Sequence, residues 1–361
     1  MSQIKVIRTL DELDALKPVW DRLFVANERL RVFQTYDWNR IVWEKYHQVE
    51  RPEETLYVIH AVHDGKASCE TILPLCLTRG GILRFIGYMM SDVLDAISPA
   101  HLSNWHAFYA KIIEFIKKQE DVSNVSLWKM DAESEVLQYF GVHWPNAHIG
   151  YQDSYSYFSA EKGATIEDAF PNLTSSGRSE LRRISRGFPE YIFKIYSRRN
   201  GLDYPRDQIR KLRDWMIANG LRVYAACPDS YLNSMEALYE RGLCEVSVLE
   251  NEVGEFQYAS FRVISHRHIV FWVVFYRDKK MTSVADIRYF QEKAKEDAYC
   301  YDFGTGAYHY KLVTFRPRVA HLYSVTGHPL SFRNFMVDAK GLLRLYVKHL
   351  LVRLHLLKSR H

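Results

Sequence analysis

A mixed α/β fold of two units in tandem, followed by a separate amphipathic helix, is what the sequence predicts, and three observations predict it. Strand-like and helix-like segments alternate along the chain instead of segregating. The order of strand, helices, three strands, helix and strand occurs twice, with little residue identity between the rounds. At 361 residues the chain also exceeds the usual size of a single core. The units fall at residues 1–160 and 191–330, with a connecting segment at 161–190 and the terminal helix at 331–361.

In the first round, Ile4–Arg8 alternates like a strand, and Thr9 or Asp11 can cap a helix running through Leu13, Leu16, Trp20, Leu23 and Phe24. Pro18 falls inside that pattern and predicts a break. A second helix, Tyr36–Tyr46, carries Trp38 and Trp43, which read as core. Three strands follow, Leu56–Val62, Ala67–Leu77 and Ile82–Ile86, the first two joined at Asp64-Gly65, a hairpin signal. Pro74 belongs at an edge or a bulge. Asp92 and Asp95 in Ser91-Asp92-x-x-Asp95 read either as the solvated start of a helix or as the acidic lining of a cleft. A helix at Ser103–Lys118, a strand at Asn124–Lys129 and a helix at Glu133–Phe140 complete the round.

The connecting segment holds Thr174, Ser175 or Ser176 as a cap and then Arg178, Arg182 and Arg186 at four-residue spacing, with Arg183 beside them. Guanidiniums in such a row suit phosphate, and they equally suit a solvated helix face. The second round runs through a strand at Ile192–Tyr196 and helices at Asp207–Ala218 and from Asp229 to Arg241. Strands at Cys244–Leu249, Phe256–Ile264 and Ile269–Tyr276 and a helix at Val284–Ala298 follow. His266 and His268 lie in a turn with no third ligand in sight, so no metal site is expected.

The round closes on Tyr301-Asp302-Phe303-Gly304-Thr305-Gly306-Ala307-Tyr308-His309-Tyr310-Lys311. Gly304 and Gly306 permit a sharp turn or a close approach to a ligand directly after a strand. Lys311 and the tyrosine hydroxyls would then meet the ligand's polar groups. An ordinary turn flanked by packed tyrosines is the alternative, with Asp302 capping it.

Composition excludes several classes. Five scattered cysteines without Cys-x-x-Cys spacing argue against a disulfide framework and a zinc site. Neither a signal peptide nor a membrane-spanning apolar run is visible, so a cytoplasmic protein is expected. From Arg333 onward there are seven Lys or Arg and one acid, leaving 41 basic and 42 acidic residues elsewhere. The positive balance therefore belongs to the tail, and a DNA-binding surface is not implied. In the tail, Leu343, Tyr346, Val347, Leu350, Leu351, Leu354 and Leu357 share a face opposite Lys340, Arg344, Lys348, His355 and Lys358. Such a helix can lie on an anionic membrane, dock on the body, or mediate self-association.

The meander, the helix behind it, the Tyr-Asp-Phe-Gly-x-Gly-x-x-x-Tyr-Lys strand end and the arginine-studded segment occur in a telling order. In this order, over roughly Thr9–Phe315, the chain resembles the GNAT-type acyltransferases of bacterial cellulose and exopolysaccharide synthesis, relatives of the Fem-type peptidyl transferases. The resemblance implies tandem GNAT-like units and transfer of an acyl group, acetyl first among the candidates, from acyl-CoA to an amine or hydroxyl of a sugar or envelope/exopolysaccharide precursor. It implies that Asp302 orients or deprotonates the acceptor, that Tyr310 protonates the leaving thiolate and that Lys311 binds a carboxylate or phosphate. Pantetheine would run along Phe271–Tyr276, which includes Phe275, and the pyrophosphate would sit near Met281–Ala285. Gly304, Gly306, Arg178, Arg182 and Arg183 complete that expected donor site. In place of the family's Gly-rich turn, often Ser-Pro-Gly, the chain has Met281-Thr282-Ser283-Val284-Ala285. Either Thr282 and Ser283 substitute, or the donor differs, or catalysis is lost. Aminoacyl-tRNA-dependent peptidyl transfer and a non-catalytic role in a polysaccharide-synthesis complex are the competing readings.

Overall fold

Caps and prolines set most of the element ends. The computed structural model describes residues 3–63, 70–100, 105–170, 173–221, 227–306 and 317–327. Strand β1 (Gln3–Ile7) leads to Thr9, whose hydroxyl accepts the Glu12 N–H and caps α1 (Leu10–Ala15). The helix breaks at Leu16, and Pro18 falls in the first turn of α2 (Lys17–Val25), where its missing N–H costs nothing. Thr35 caps α3 (Tyr36–Val42), which passes through a π-helical turn at Trp43–His47 into the short α4 (Gln48–Glu50). Trp38 and Trp43 are core residues, as their spacing predicts.

The three expected strands of the first round are five: β2 (Thr55–Leu56), β3 (Val58–Val62), β4 (Glu70–Leu73), β5 (Leu75–Leu77) and β6 (Ile82–Phe85). They do not form one meander. Pro74, which cannot donate to a ladder, separates β4 from β5 and hands the chain from a small sheet, β1-β3-β4, to a large one. Next come α5 (Trp105–Lys117), β7 (Asn124–Asp131), α6 (Glu135–His143) and β8 (Ala147–Ala160). The fourteen residues of β8 have no counterpart in the sequence expectation. Ser, Tyr, Asp and Gly alternate through it without an apolar run, because half of its length is solvated.

Helices α7 (Ile166–Ala169) and α8 (Ser175–Ser185), the latter capped by Thr174, lead to β9 (Ile192–Tyr196), α9 (Arg206–Ala218) and α10 (Asp229–Glu240). Then β10 (Cys244–Glu250), β11 (Phe256–Ser265) and β12 (His268–Tyr276) form the expected meander. Helix α11 (Met281–Glu296) starts three residues earlier than its apolar pattern predicts, so Thr282 and Ser283 lie in its first turn and not ahead of it. Strands β13 (Tyr299–Thr305) and β14 (Arg318–Gly327) end the described chain. Strand β14 was also absent from the sequence expectation, and Tyr308, Tyr310, Lys311 and the whole 331–361 tail lie outside the described residues. No described helix is long and apolar enough to cross a membrane.

The large sheet has eleven strands in the order β2-β5-β6-β7-β14-β8-β13-β12-β11-β10-β9. Its centre reads symmetrically. Each round contributes a strand, a helix and a parallel strand (β6-α5-β7 and β12-α11-β13), and these are the two parallel pairs among the described strands. The closing strands are exchanged: β8 of the first round pairs with β13 of the second, while β14 of the second pairs with β7 of the first. The β8–β14 ladder joins the two at the middle over ten residue pairs. Separating the rounds would break both exchanged ladders.

Candidate functional site

Each parallel pair forks. Strand β12 pairs with β13 at His268↔Cys300, Ile269↔Tyr301 and Val270↔Asp302, and no farther. The register of β11 against β12 slips between Phe261 and Arg262, leaving Trp272 as an extra residue just past the last pair. Such a bulge bends its strand and re-aims its side chains. The Trp272 indole N–H donates to the Met90 carbonyl at 2.7 Å, and its ring stacks on Tyr231. Across the opening, Gly304 (φ +72°) and Gly306 (φ +89°) turn β13 aside in conformations that favour glycine. Pairing of β13 with β8 resumes at Thr305↔Tyr155. The fork thus opens at the carboxyl ends of parallel strands, the usual position of ligand crevices in α/β sheets.

The other fork, past Leu83↔Val125 between β6 and β7, is filled by its own chain. Segment 86–97 lies in it. The Leu94 N–H donates to the Lys129 carbonyl at 2.9 Å, Ile97 exchanges two backbone bonds with Ile72, and the Gln34 amide donates to the Val93 carbonyl. Ser91 and Asp92 lie on this buried, non-helical segment, so the solvated helix start considered for them is not what forms.

Asp302 is 1% exposed. Its Oδ1 accepts the Gly304 N–H at 2.8 Å, capping the turn, and its Oδ2 is paired with the Arg31 guanidinium. Burial pulls Arg31 down, but the Asp302 charge and its neighbours more than offset this and hold it above the ordinary guanidinium value. The guanidinium lies over the Tyr155 ring at 4.3 Å, and the Tyr155 hydroxyl donates to Asp131 at 2.7 Å. Burial, reinforced by that bond to Asp131, pushes the Tyr155 phenol up. His268 is held down to about 4 by burial and then by the charge of Arg31, so its ring is neutral at pH 7 and adds no second positive charge beside Arg31. A row of polar contacts therefore runs from Asp302 through Arg31 and the neutral Tyr155 to Asp131, linking β13, β8 and β7.

Asp92 reaches the open fork from the filled one. Its Oδ1 accepts the Thr305 hydroxyl at 2.9 Å. Lys129 (φ +59°), whose strained backbone is fixed by the bond from its N–H to Gln152 and by the bond its carbonyl receives from Leu94, points its ammonium at the Ser91 carbonyl. Burial lowers the Lys129 ammonium. Sequence reasoning missed Arg31, Lys129 and Tyr155, since none stands in a recognisable motif and only the fold brings them together.

The expected donor residues are dispersed. Phe275 is buried with its ring edge-on to Phe261, leaving only its backbone to serve a ligand. Thr282 and Ser283 are half-buried on α11. The first amides of that region are engaged: Lys280 N–H by the Asp278 carboxylate, Met281 N–H by the Asp278 carbonyl and Thr282 N–H by the Lys279 carbonyl. Arg178, Arg182 and Arg183 are exposed on α8, with Arg182 paired to Glu167 and Arg183 to Glu180. Leu181 of α8 packs in one cluster with Tyr301 and Phe303, which point away from Asp302 on the alternating strand. The guanidinium row therefore lies across the sheet from Asp302 and Arg31, and the structure does not bring the two groups together.

His47, Glu54 and Cys76 form a buried trio. The Gly87 N–H donates to His47 Nε2 at 3.0 Å, which leaves the proton of a neutral ring on Nδ1, where it is given to Glu54 at 2.6 Å. With both ring nitrogens so used, the trio is a satisfied core network.

No family model matches this sequence, and no curated protein matches it either. Solved structures do match in fold. The C-terminal domain of a putative lysylphosphatidylglycerol synthetase from Agrobacterium fabrum aligns with a TM-score of 0.56 at 11% identity, over 91% of this chain and 97% of that one. FemX aligns at 0.55 and 10% identity, over 89% and 96%. A tandem GNAT protein from the clavulanic acid biosynthesis pathway aligns at 0.51 and 10% identity, over 92% and 100%. At such identities the likeness shows the fold, a mixed α/β arrangement of two GNAT-like units in tandem.

Proposed function

We propose that this chain is an acyltransferase that moves an acyl group, acetyl first among the candidates, from a coenzyme A thioester to an amine or hydroxyl. The acceptor in this reading is a sugar or an exopolysaccharide or envelope precursor met at the inner side of the membrane. The observation that carries the reading is the fork between β12 and β13, with its bulge at Trp272 and its two left-handed glycines. Backbone groups freed where parallel strands part need partners, and the amide-rich pantetheine arm supplies them. In the transfer step the acceptor's lone pair attacks the thioester carbonyl, the new bond forms as the C–S bond breaks, and the sulfur leaves as CoA thiolate. The acceptor's proton goes to a nearby base or to solvent. Asp302, with both oxygens engaged, serves in this reading by fixing the Gly304 turn and Arg31.

Calorimetric titration of the full chain with acetyl-CoA and longer acyl-CoAs tests the donor. One binding event per chain is expected, and no heat at millimolar ligand would remove the thioester.

A second reading, aminoacyl transfer from a charged tRNA, is favoured by the engaged amides ahead of and within the first turn of α11, which are denied to a pyrophosphate. Here the exposed Arg178, Arg182 and Arg183 would meet the RNA backbone, and binding would weaken steeply with salt. A chain that binds neither donor would be a non-catalytic partner in a synthesis complex.

A further inference from the structure

The β8–β14 ladder that joins the two rounds is covered over only part of its length. Successive residues of a strand face opposite sides, so Val319, His321, Tyr323 and Val325 of β14 share one face. Across the ladder Tyr323 pairs with Tyr151 and Val325 with Ile149. Helix α6 covers this face at one end: Val325 is fully buried, and a Cβ built on Gly141 would stand 3.7 Å from Val325 Cγ2, with Ile149 nearer still. At the other end Phe158 of β8 packs on Phe170, directly after α7.

Between these covers a row of apolar and aromatic side chains lies open. Ile149, Tyr151 and Val319 are 44%, 45% and 41% exposed, and Val142 of α6 is exposed beside Ile149. The Tyr151 ring meets His321 at 5.8 Å and Tyr323 at 6.2 Å, which makes the row continuous. Single exposed apolar residues are ordinary, whereas a contiguous stripe marks a surface that a partner covers.

The chain itself offers that partner. Strand β14 ends at Gly327, at the α6 end of the stripe, and residues 328–361, which lie outside the described residues, follow it. Read as a helix, the apolar row from Leu343 to Leu357 is about 21 Å long. The ladder from Gly327 back to Val319 spans about 27 Å, so the two match in length. Residues 328–342 can reach about 50 Å when extended, ample for the chain to turn back. So short a tether holds the tail at an effective concentration of about millimolar, which favours the chain's own stripe over a separate partner.

We propose that segment 340–358 folds as an amphipathic helix, runs antiparallel to β14 and lays its apolar row on the stripe between α6 and α7. Its basic side chains, Lys340, Arg344 and Lys348 among them, then face solvent. This inference is independent of the acyltransferase reading, and it adds a third element to the two exchanged ladders that hold the rounds together.

In the full chain, Tyr151 is replaced by photo-reactive benzoylphenylalanine, and an equal mixture of ordinary and isotope-labelled protein is irradiated. Cross-links from position 151 to peptides of segment 340–358, within chains of one label, are expected in the mass spectra. Trypsin reads the same contact, because Lys340, Arg344, Lys348 and Arg353 are its sites. Val319→Asp should speed cleavage there by about tenfold or more, Leu350→Asp should do the same, and the two together should add little, since both remove one contact. Cleavage within residues 1–327 should not change, which separates release of the tail from global unfolding. Cross-links confined to residues 1–327, cross-links that join the two labels, or a Val319→Asp variant cut at the parent's rate overturns the proposal. Mixed labels would assign the stripe to a second copy, and flotation of the full chain on phosphatidylglycerol vesicles without tail cross-links would assign the tail to a membrane.

Discussion

The two forks of the sheet share a plan and differ in what occupies them. In both, a helix links two parallel strands that part after a few residues, and in both the second strand carries a left-handed residue four positions past the last pair: Lys129 after Val125 and Gly306 after Asp302. In the first fork the chain itself takes up the opening, through Leu94, Ile97 and Val93. In the second, the edges are lined by Asp92, Gly304 and Trp272, and among the described residues no segment bonds along the freed edge of β12 beyond Val270 as segment 86–97 bonds along β7. Repetition of a fold thus need not repeat a site. The filled fork serves the open one, because the segment that closes it delivers Asp92 across the boundary.

The largest effect is expected where the exchanged strands meet. Replacing Arg31 with Met leaves Asp302, 1% exposed, without its cation. Breaking a buried pair from one side costs about 3–5 kcal/mol, and urea unfolding of the variant should show a loss of that order. Asp302→Asn together with Arg31→Met should recover part of it, since the buried charge is gone and the amide oxygen can still accept the Gly304 N–H. A loss below about 1 kcal/mol for the single variant would mean that water reaches Asp302 and that the junction is looser than the other fork.

A pair of glycines separates the forks by function. Gly87, φ +74°, lies in the filled fork, where a Cβ would meet the Ser91 hydroxyl at 2.8 Å, and Gly304, φ +72°, lies in the open one. Alanine at either is expected to cost about 1–2 kcal/mol for the left-handed backbone, with the crowding added. Only Gly304→Ala should abolish ligand binding and turnover; Gly87→Ala should keep both in whatever fraction stays folded. Calorimetry with acetyl-CoA at a temperature where both variants are folded checks this. Equal binding losses would erase the functional distinction between the forks.

Most of the fold could be read in the sequence because caps, prolines and apolar periods are local. Thr9 and Thr174, each among the caps the sequence offers, start helices, and the β10–β12 meander needs only its own apolar strands. Strands β8 and β14 could not be read this way. Their pairing is set by the exchange between rounds, a long-range event, and their half-solvated faces leave a polar pattern full of tyrosine and serine. Asp302, Gly304 and Gly306 were legible as a turn after a strand. Their company was not, because Arg31, Asp92 and Tyr155 come from 271, 210 and about 150 positions away in sequence, as the strand exchange requires. The arginine row on α8 shows the converse: a conspicuous local pattern that the fold sets on the far face.

The smallest effect concerns the filled fork and is read in pH. Asp95 lies on the same segment as Asp92, accepts the Ser134 hydroxyl at 2.8 Å and the Ala96 N–H at 2.8 Å, and is pushed up to about 7 chiefly by burial. The folded state therefore holds a proton that the unfolded chain, with an ordinary aspartate near 3.8, has lost over the range between. Stability from this group is greatest at low pH and declines as pH rises through about 7, by about 1 kcal/mol between pH 6 and pH 8. Asp95→Asn keeps the acceptor oxygen and removes the charge, so its unfolding free energy should lack this decline and exceed the parent's at pH 8. The open fork supplies the contrast, because Asp302 is paired with Arg31 and among the described residues Asp95 has no ion-pair partner. If the Asp95→Asn variant tracks its parent from pH 6 to pH 8, the packing around segment 86–97 admits water, and the first fork is no more closed than the second.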